Sequence, residues 1–328
     1  MRHDSHFQVK DLTVEFQLGN KYYPAVRQIS FDLKKGEAFG LAGESGCGKS
    51  TAATAILRML PDNASVREGA VWFQGRDIFS LSQADLRELW WKDIAMIFQA
   101  SLNSLNPVKK VGAQIAEVLT VREGMEKKCA WERVEELFAL IGIRPERARD
   151  YPHEFSGGMR QRVMIAMALC LNPSIIIADE CTTALDVMIQ AQIVNLLKDL
   201  NRRFDLSMIF IDHDLALIAE VCDRVAVMYA GRIVELGPVS EIFFKPVHPY
   251  VQRLIKALPS MTARSDQLVS IPGAPPRLKE ISAGCSFLPR CPYGDEDCSR
   301  EVPPYIEIEA DHFAACFKSI NSIKGQDP

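Results

Sequence analysis

The run Gly43-Glu44-Ser45-Gly46-Cys47-Gly48-Lys49-Ser50-Thr51 meets every fixed position of the pattern G-x-x-x-x-G-K-[ST]. Its glycines let the backbone curl until successive N–H groups point inward at phosphate oxygens, and the helix that follows adds the positive end of its dipole. Lys49 is then placed to reach the β- and γ-phosphates of a nucleoside triphosphate. The Ser50 hydroxyl falls where such loops supply a magnesium ligand, with Thr51 as its neighbouring stand-in, while Ser45 and Cys47 fill variable positions. An ordinary glycine-rich turn would not require Lys-Ser at its end after the apolar Phe39-Gly40-Leu41-Ala42. An α/β chain is expected, with a helix starting at Lys49.

Kinases, GTPases and motor ATPases all carry such a loop, so the reaction must be read from other residues. Ser156-Gly157-Gly158-Met159-Arg160-Gln161 follows Phe155, and the apolar run Ser174-Ile175-Ile176-Ile177-Ala178 ends in Asp179-Glu180. Gln99 follows Ala95-Met96-Ile97-Phe98, Ala184-Leu185-Asp186 follows the carboxylates, and His213 stands in Ile211-Asp212-His213-Asp214. Taken in chain order as Q-loop, signature sequence, Walker B strand, D-loop and switch histidine, these motifs resemble those of ATP-binding cassette (ABC) ATPases. The resemblance implies a P-loop ABC ATPase fold, with a RecA-like core, an antiparallel β subdomain and a helical subdomain. It implies ATP and Mg2+ as cofactors, and hydrolysis to ADP and phosphate.

Each residue type suits its implied task. Asp179 can hold magnesium through the ion's water shell, since a hard cation takes oxygen ligands and keeps its hydration. Glu180, next along a strand, should point away from Asp179 and act as the catalytic base on the attacking water. His213 would bond the γ-phosphate, and Gln99 would sense that phosphate or its metal. Ser156, Gly157 and Gly158 would face ATP held by a second homologous subunit, and the D-loop Asp186 would belong to the nucleotide-binding residues, so the site should be composite and a monomer nearly inactive. Phe16 occupies the place of an adenine-stacking aromatic, with Tyr22 and Tyr23 as rivals and a strand-end core role as the ordinary alternative. Cys181 stands where the family commonly has proline, and Ala100-Ser101 where it has an acidic-proline pair; neither change removes a reacting group. Cys47, at a helix start, is a thiol whose pKa that position can lower, leaving it open to alkylation or oxidation.

With 328 residues, 48% of them apolar, the chain is long enough for more than one domain. The formal net charge of −4 offers no basic excess for nucleic acid. No apolar stretch approaches the roughly twenty residues needed to span a bilayer, and Met1-Arg2-His3-Asp4-Ser5-His6 lacks a signal peptide's apolar core. The chain is expected at the cytoplasmic face of the membrane, attached through partners.

Residues 7–41 read as strands and turns, and Gly69-Ala70-Val71-Trp72-Phe73-Gln74-Gly75 as a strand pair. Helical periodicity dominates from about 106 to 151, as in the run from Ala130 to Leu140, which Gly142 and Pro145 end. The cassette is expected over 1–240, its helical subdomain near 103–158, with an irregular C-terminal extension over 241–328. Eleven of the 18 prolines lie from residue 240 onward. His248-Pro249-Tyr250, Pro272-Gly273-Ala274-Pro275-Pro276 and Pro289-Arg290-Cys291-Pro292 resemble the C-terminal region of the dipeptide, oligopeptide and nickel importer ATPases.

Cys285, Cys291, Cys298 and Cys316 are spaced C-x5-C-x6-C-x17-C, which asks for a metal or two disulfides. A reducing compartment opposes disulfides, and the tight C-x2-C knuckle of zinc ribbons is absent. A 4Fe-4S cluster, a zinc ion and free or oxidised thiols all remain open on spacing. Dipeptide-importer relatives with these cysteines carry a 4Fe-4S cluster, so the resemblance implies one; His312 is a candidate substitute ligand whose ordinary reading is a solvated side chain. The implied partners are a second ABC ATPase, two transmembrane permease subunits and, indirectly, an extracytoplasmic solute-binding protein that chooses a di- or oligopeptide. Nickel, metal-chelate or oligosaccharide cargo is the alternative within the family. A soluble ABC ATPase outside transport and a non-hydrolysing regulatory binder are the others.

Overall fold

Alternating burial sets the amino-terminal strands. In β1 (Phe7–Leu18), Phe7 and Val9 point inward while Lys10 faces solvent. The register then shifts at Asp11, whose φ is +49°, so that Leu12 and Val14 return to the core side. Such a bulge adds one residue and resets the two-residue period. The Ser30 hydroxyl holds it, accepting the Asp11 amide at 2.8 Å and donating to its carboxylate at 3.0 Å. β2 is Lys21–Leu33, β3 Ala38–Ala42, α1 Lys49–Ile56, β4 Ala64–Phe73 and β5 Arg76–Asp77. An antiparallel sheet in the order β2-β1-β4-β5 results. The expected strand pair at Gly69–Gly75 is the second half of β4 plus a tight turn, in which Gln74 and Gly75 both have positive φ.

This computed structural model describes residues 6–98, 104–183, 185–258, 271–281 and 283–319. They divide into two compact units, one within 1–34, 38–80 and 211–328, the other within 35–37 and 81–210.

The second unit begins with α2 (Gln83–Lys92), capped by Ser82, whose hydroxyl accepts the Asp85 amide at 3.2 Å. β6 (Ile94–Ile97) follows. The helical expectation for 106–151 is met by α3 (Val111–Glu123), which ends at left-handed Gly124, and α4 (Lys127–Leu140), which stops before left-handed Gly142. α5 (Gly157–Leu169), β7 (Ile175–Asp179), α6 (Val187–Phe204) and β8 (Ser207–Asp212) complete the run. Strands β8, β7 and β6 lie side by side, with β6 and β7 parallel. β7 is buried along its whole length, as a strand covered on both faces requires.

The chain returns to the first unit after Phe210. α7 (Leu215–Val221) leads to the hairpin of β9 (Arg224–Tyr229) and β10 (Arg232–Pro238). Its two turn residues, Ala230 and Gly231, both have positive φ, matching a type I′ connection. α8 (Val239–Phe244), α9 (Pro249–Lys256), α10 (Glu296–Arg300), β11 (Ile306–Glu309) and β12 (His312–Ala314) follow. The C-terminal region is thus not wholly irregular: β12 pairs with β10, and the order here is β11-β12-β10-β9-β3.

Candidate functional site

The phosphate loop joins β3 to α1, and α1 starts at Lys49 as expected. Its cap is Gly48, at φ +107°, which as glycine supplies no side-chain cap. The first N–H groups of a helix have no intrahelical partner and point toward the segment that precedes it, here the loop. A Cβ on Gly48 would stand 2.6 Å from the Ala25 carbonyl, and one on Gly43, at φ +143°, would run into the Met228 carbonyl. Both glycines are therefore required. Lys49 is buried, and its ammonium donates to the carbonyls of Gly43 at 2.7 Å and Glu44 at 3.2 Å. Ser45 and Gly46 are exposed at the loop's crest; Ser50 and Thr51 are half-buried. Cys47 departs from the expected reactive thiol, because its sulfur is buried and burial pushes its pKa up against the opposing pull of Lys49.

His213 lies in the same unit, exposed, with Nδ1 3.3 Å from the buried Asp212 carboxylate. Asp212 also accepts the Asp214 amide at 2.9 Å, and Asp214 caps α7 through the Ala216 amide, so the histidine sits on a pinned turn. Phe16 is half-exposed opposite Tyr23 rather than sealed in the core, and Tyr22 is exposed.

In the second unit Asp179 is the buried last residue of β7. Glu180 follows at φ +44°, outside the strand. The expected strand alternation therefore does not orient it; a left-handed backbone does, a conformation that costs a non-glycine residue energy and gathers at functional sites. Cys181 and Thr182 are buried behind it. Asp186 caps α6, its carboxylate accepting the Ile189 amide at 3.0 Å. Ser156 caps α5 by accepting the Met159 amide at 3.3 Å. Gly157 has room for a Cβ, but on Gly158 one would lie 2.5 Å from Ile189 Cγ2. Gln99, Ala100, Ser101 and Ala184 lie outside the described residues.

The C-terminal segment reaches the phosphate loop, which sequence reasoning missed. Arg290 Nη1 and Nη2 donate to Glu44 at 2.7 and 3.0 Å, and the Glu44 amide donates to the Tyr250 hydroxyl at 3.2 Å. Pro289-Arg290-Cys291-Pro292 and His248-Pro249-Tyr250 marked these residues, but no local pattern names their partner. Nearby, the Cys285 amide donates to the Cys298 carbonyl at 2.8 Å, and charge on Cys316 or Cys291 would oppose ionisation of the Cys285 thiol. Burial raises the pKa of Cys285, of Cys291 and of Cys298, the last to about 11. Amide hydrogen bonds from Phe287 and Leu288 to Cys285, and from Tyr293 to Cys291, pull toward the thiolate. His312 is not solvated: it is buried, with Nε2 2.9 Å from the buried Glu235.

The protein family described as ABC transporter matches residues 26–183, and that described as oligopeptide/dipeptide transporter, C-terminal region, matches 234–298. The oligopeptide transport ATP-binding protein OppD of Escherichia coli (strain K12) is 45% identical over 323 residues, 98% of this chain and 95% of that protein. This chain belongs to the ABC transporter ATP-binding family. The dipeptide transport ATP-binding protein DppD of Bacillus subtilis (strain 168) is 45% identical over 94% of this chain and 93% of its own length. A dimeric ATP-binding cassette solved in a post-hydrolysis state with ADP and Pi aligns over 71% of this chain and 98% of its own, at a TM-score of 0.64 and 26% identity. The P-loop ABC ATPase fold expected from the motifs is thus the one found, and the chain is an ATPase of the ABC type, a family that uses ATP with magnesium. Among the described residues no helix is long and apolar enough to cross a membrane.

Proposed function

We propose that this ABC ATPase powers the import of di- and oligopeptides from the cytoplasmic face of the membrane, paired with a second ABC ATPase beneath two permease subunits. A solute-binding protein outside the membrane selects the peptide. The observation that carries this reading is full-length similarity to oligopeptide and dipeptide transport proteins, including the separate match over 234–298.

In this reading the α1 amides and Lys49 take the phosphates, and Lys49 exchanges its carbonyl partners for phosphate oxygens. Phe16 stacks on adenine. Magnesium, when bound, offsets phosphate charge, with Ser50, Gln99 and the water-mediated Asp179 as its protein donors. Glu180 removes a proton from the attacking water, and His213 stabilises charge on the transferring phosphoryl group. Ser156, Gly157 and Gly158 serve ATP held by the partner, and Asp186 belongs to the nucleotide-binding residues. Replacing Glu180 by Gln in the assembled transporter tests the assignment, since unchanged turnover would remove Glu180 as the base. Uptake of a labelled dipeptide, with nickel and an oligosaccharide in parallel, tests the cargo.

We also propose that Cys285, Cys291, Cys298 and Cys316 hold a 4Fe-4S cluster. Tetrahedral Zn–S bonds of about 2.3 Å would bring thiolates to about 3.8 Å from one another. Among the described residues the ligand group with atoms within 4.8 Å is Glu241, Glu309 and His312, not the cysteines. Amide donors on the Cys285 and Cys291 sulfurs suit a cluster, whose thiolate sulfurs commonly accept such hydrogen bonds. About four irons and matching sulfide per anaerobically purified chain would support this; one zinc, or no metal, would refute it.

A further inference from the structure

Arg290 is 5% exposed and every side of its guanidinium is engaged. The fork grips both Glu44 oxygens, Nε donates to the Pro272 carbonyl at 3.0 Å, and Nη1 lies 3.3 Å from the Tyr229 hydroxyl. Bidentate Arg–carboxylate pairs add geometric specificity to charge attraction. What this one orients is the second residue of the phosphate loop. The Glu44 side chain is held by Arg290, its amide by Tyr250, and its carbonyl accepts Lys49 Nζ and the Cys47 amide. Of these contacts, two come from residues more than two hundred positions away in sequence.

The far side of the clamp is buried and closely packed. Tyr250 is fully buried, with its ring 4.7 Å from that of Tyr229 and 5.4 Å from that of Phe287. The Arg290 amide donates to the Phe287 carbonyl at 2.9 Å, and the Cys291 amide to Leu288 at 3.1 Å, so Arg290 rides on a tight turn between Cys285 and Cys291. A loop that must present several amides to phosphate gains affinity when its curl is fixed beforehand.

We propose that Arg290 is a positioning residue for nucleotide: by holding Glu44 it sets the phosphate loop in its binding shape, and so makes the cysteine-bearing segment a control element of ATP affinity. This rests on the ATP-binding reading of the loop. The coupling is reciprocal, so displacing the Cys285–Cys291 turn weakens ATP binding, and ATP stabilises that turn.

The test is a double-mutant cycle on Mg-ATP affinity of the full chain, read by displacement of a fluorescent nucleotide, with thermal unfolding measured alongside. Arg290→Ala and Glu44→Ala should each weaken ATP binding about tenfold, and the double variant should be no weaker than either. Arg290→Lys should lie between, keeping the charge without the fork. Altered melting with unchanged ATP affinity would overturn the proposal, as would single effects that multiply in the double variant. Should Arg290→Ala fail to fold, Glu44→Gln carries the measurement, and wild-type affinity there overturns the idea equally. A wild-type chain that binds no ATP would sink the nucleotide reading itself, whereas wild-type binding with indifferent variants sinks this inference alone.

Discussion

His248 Nδ1 accepts the Tyr250 amide at 3.1 Å, capping α9 with an imidazole that is itself buried. A cap acceptor must keep a lone pair, and burial pushes the His248 pKa down to about 3, so the ring stays neutral in the folded chain. Its own amide donates to the buried Glu235 at 2.8 Å, which ties the start of α9 to β10.

The folded pKa of His248 lies below its unfolded value of about 6.5, so between the two the unfolded chain binds the extra proton. The His248 contribution is flat above about pH 6.5 and becomes increasingly unfavourable to folding as pH falls toward 3, at a limiting slope of about 1.4 kcal/mol per pH unit. His248→Asn keeps a cap acceptor and removes the titration. Urea midpoints at pH 7.5 and pH 5 should converge less in the wild type than in the variant, meaning that the wild type loses more stability on acidification. Equal losses would show that His248 is not responsible.

Glu180 offers a stability test independent of its chemistry. Its φ of +44° costs a side-chain-bearing residue about 1–2 kcal/mol that glycine avoids. Glu180→Gly should therefore unfold at a slightly higher denaturant concentration while turnover collapses by at least about a hundredfold. Loss of stability would mean that contacts of the carboxylate outweigh backbone strain.

Thiol chemistry separates the phosphate loop's cysteine from an exposed one. Cys47 is buried with a raised pKa, and Cys129 is exposed on α4. Because the thiolate is the attacking species, iodoacetamide at pH 8 should label Cys129 well before Cys47 in the folded chain, and both alike in denaturant. Early labelling of Cys47, located by peptide mass spectrometry, would contradict the buried placement.

What could be read in the sequence was local. The phosphate loop, the start of α1 at Lys49 and the apolar run that forms β7 each follow from patterns spanning fewer than about ten residues. Three features did not follow. Glu180 leaves β7 through a left-handed turn that its sequence does not announce, since glutamate rarely adopts it. His312 gave no sign of burial, because its partner Glu235 lies 77 positions away. Arg290 was visible only within a resemblance, while its contact with Glu44 spans 246 positions and arises from the packing of α9 and the cysteine turns on the loop. Residue type and spacing report chemistry and period, but not which distant side chain completes a bond.

Gly158 illustrates a glycine demanded by packing rather than by backbone angle. It lies in the first turn of α5, where alanine is ordinarily the better helix former by about 1 kcal/mol. The φ there is not positive, so nothing in the backbone forbids a side chain. The obstacle is Ile189 of α6, whose Cγ2 would stand 2.5 Å from the new Cβ. Ile189 is β-branched and stiff at χ1, and its amide is held by the Asp186 cap, so it yields only with a shift of α6. Gly158→Ala should thus cost about 1–3 kcal/mol, as overpacked sites do. If this pair is the whole cause, Ile189→Ala in the same chain should recover most of the loss, since it empties the space the Cβ enters. A double variant as unstable as the single, measured by urea unfolding, would place the conflict elsewhere on α5.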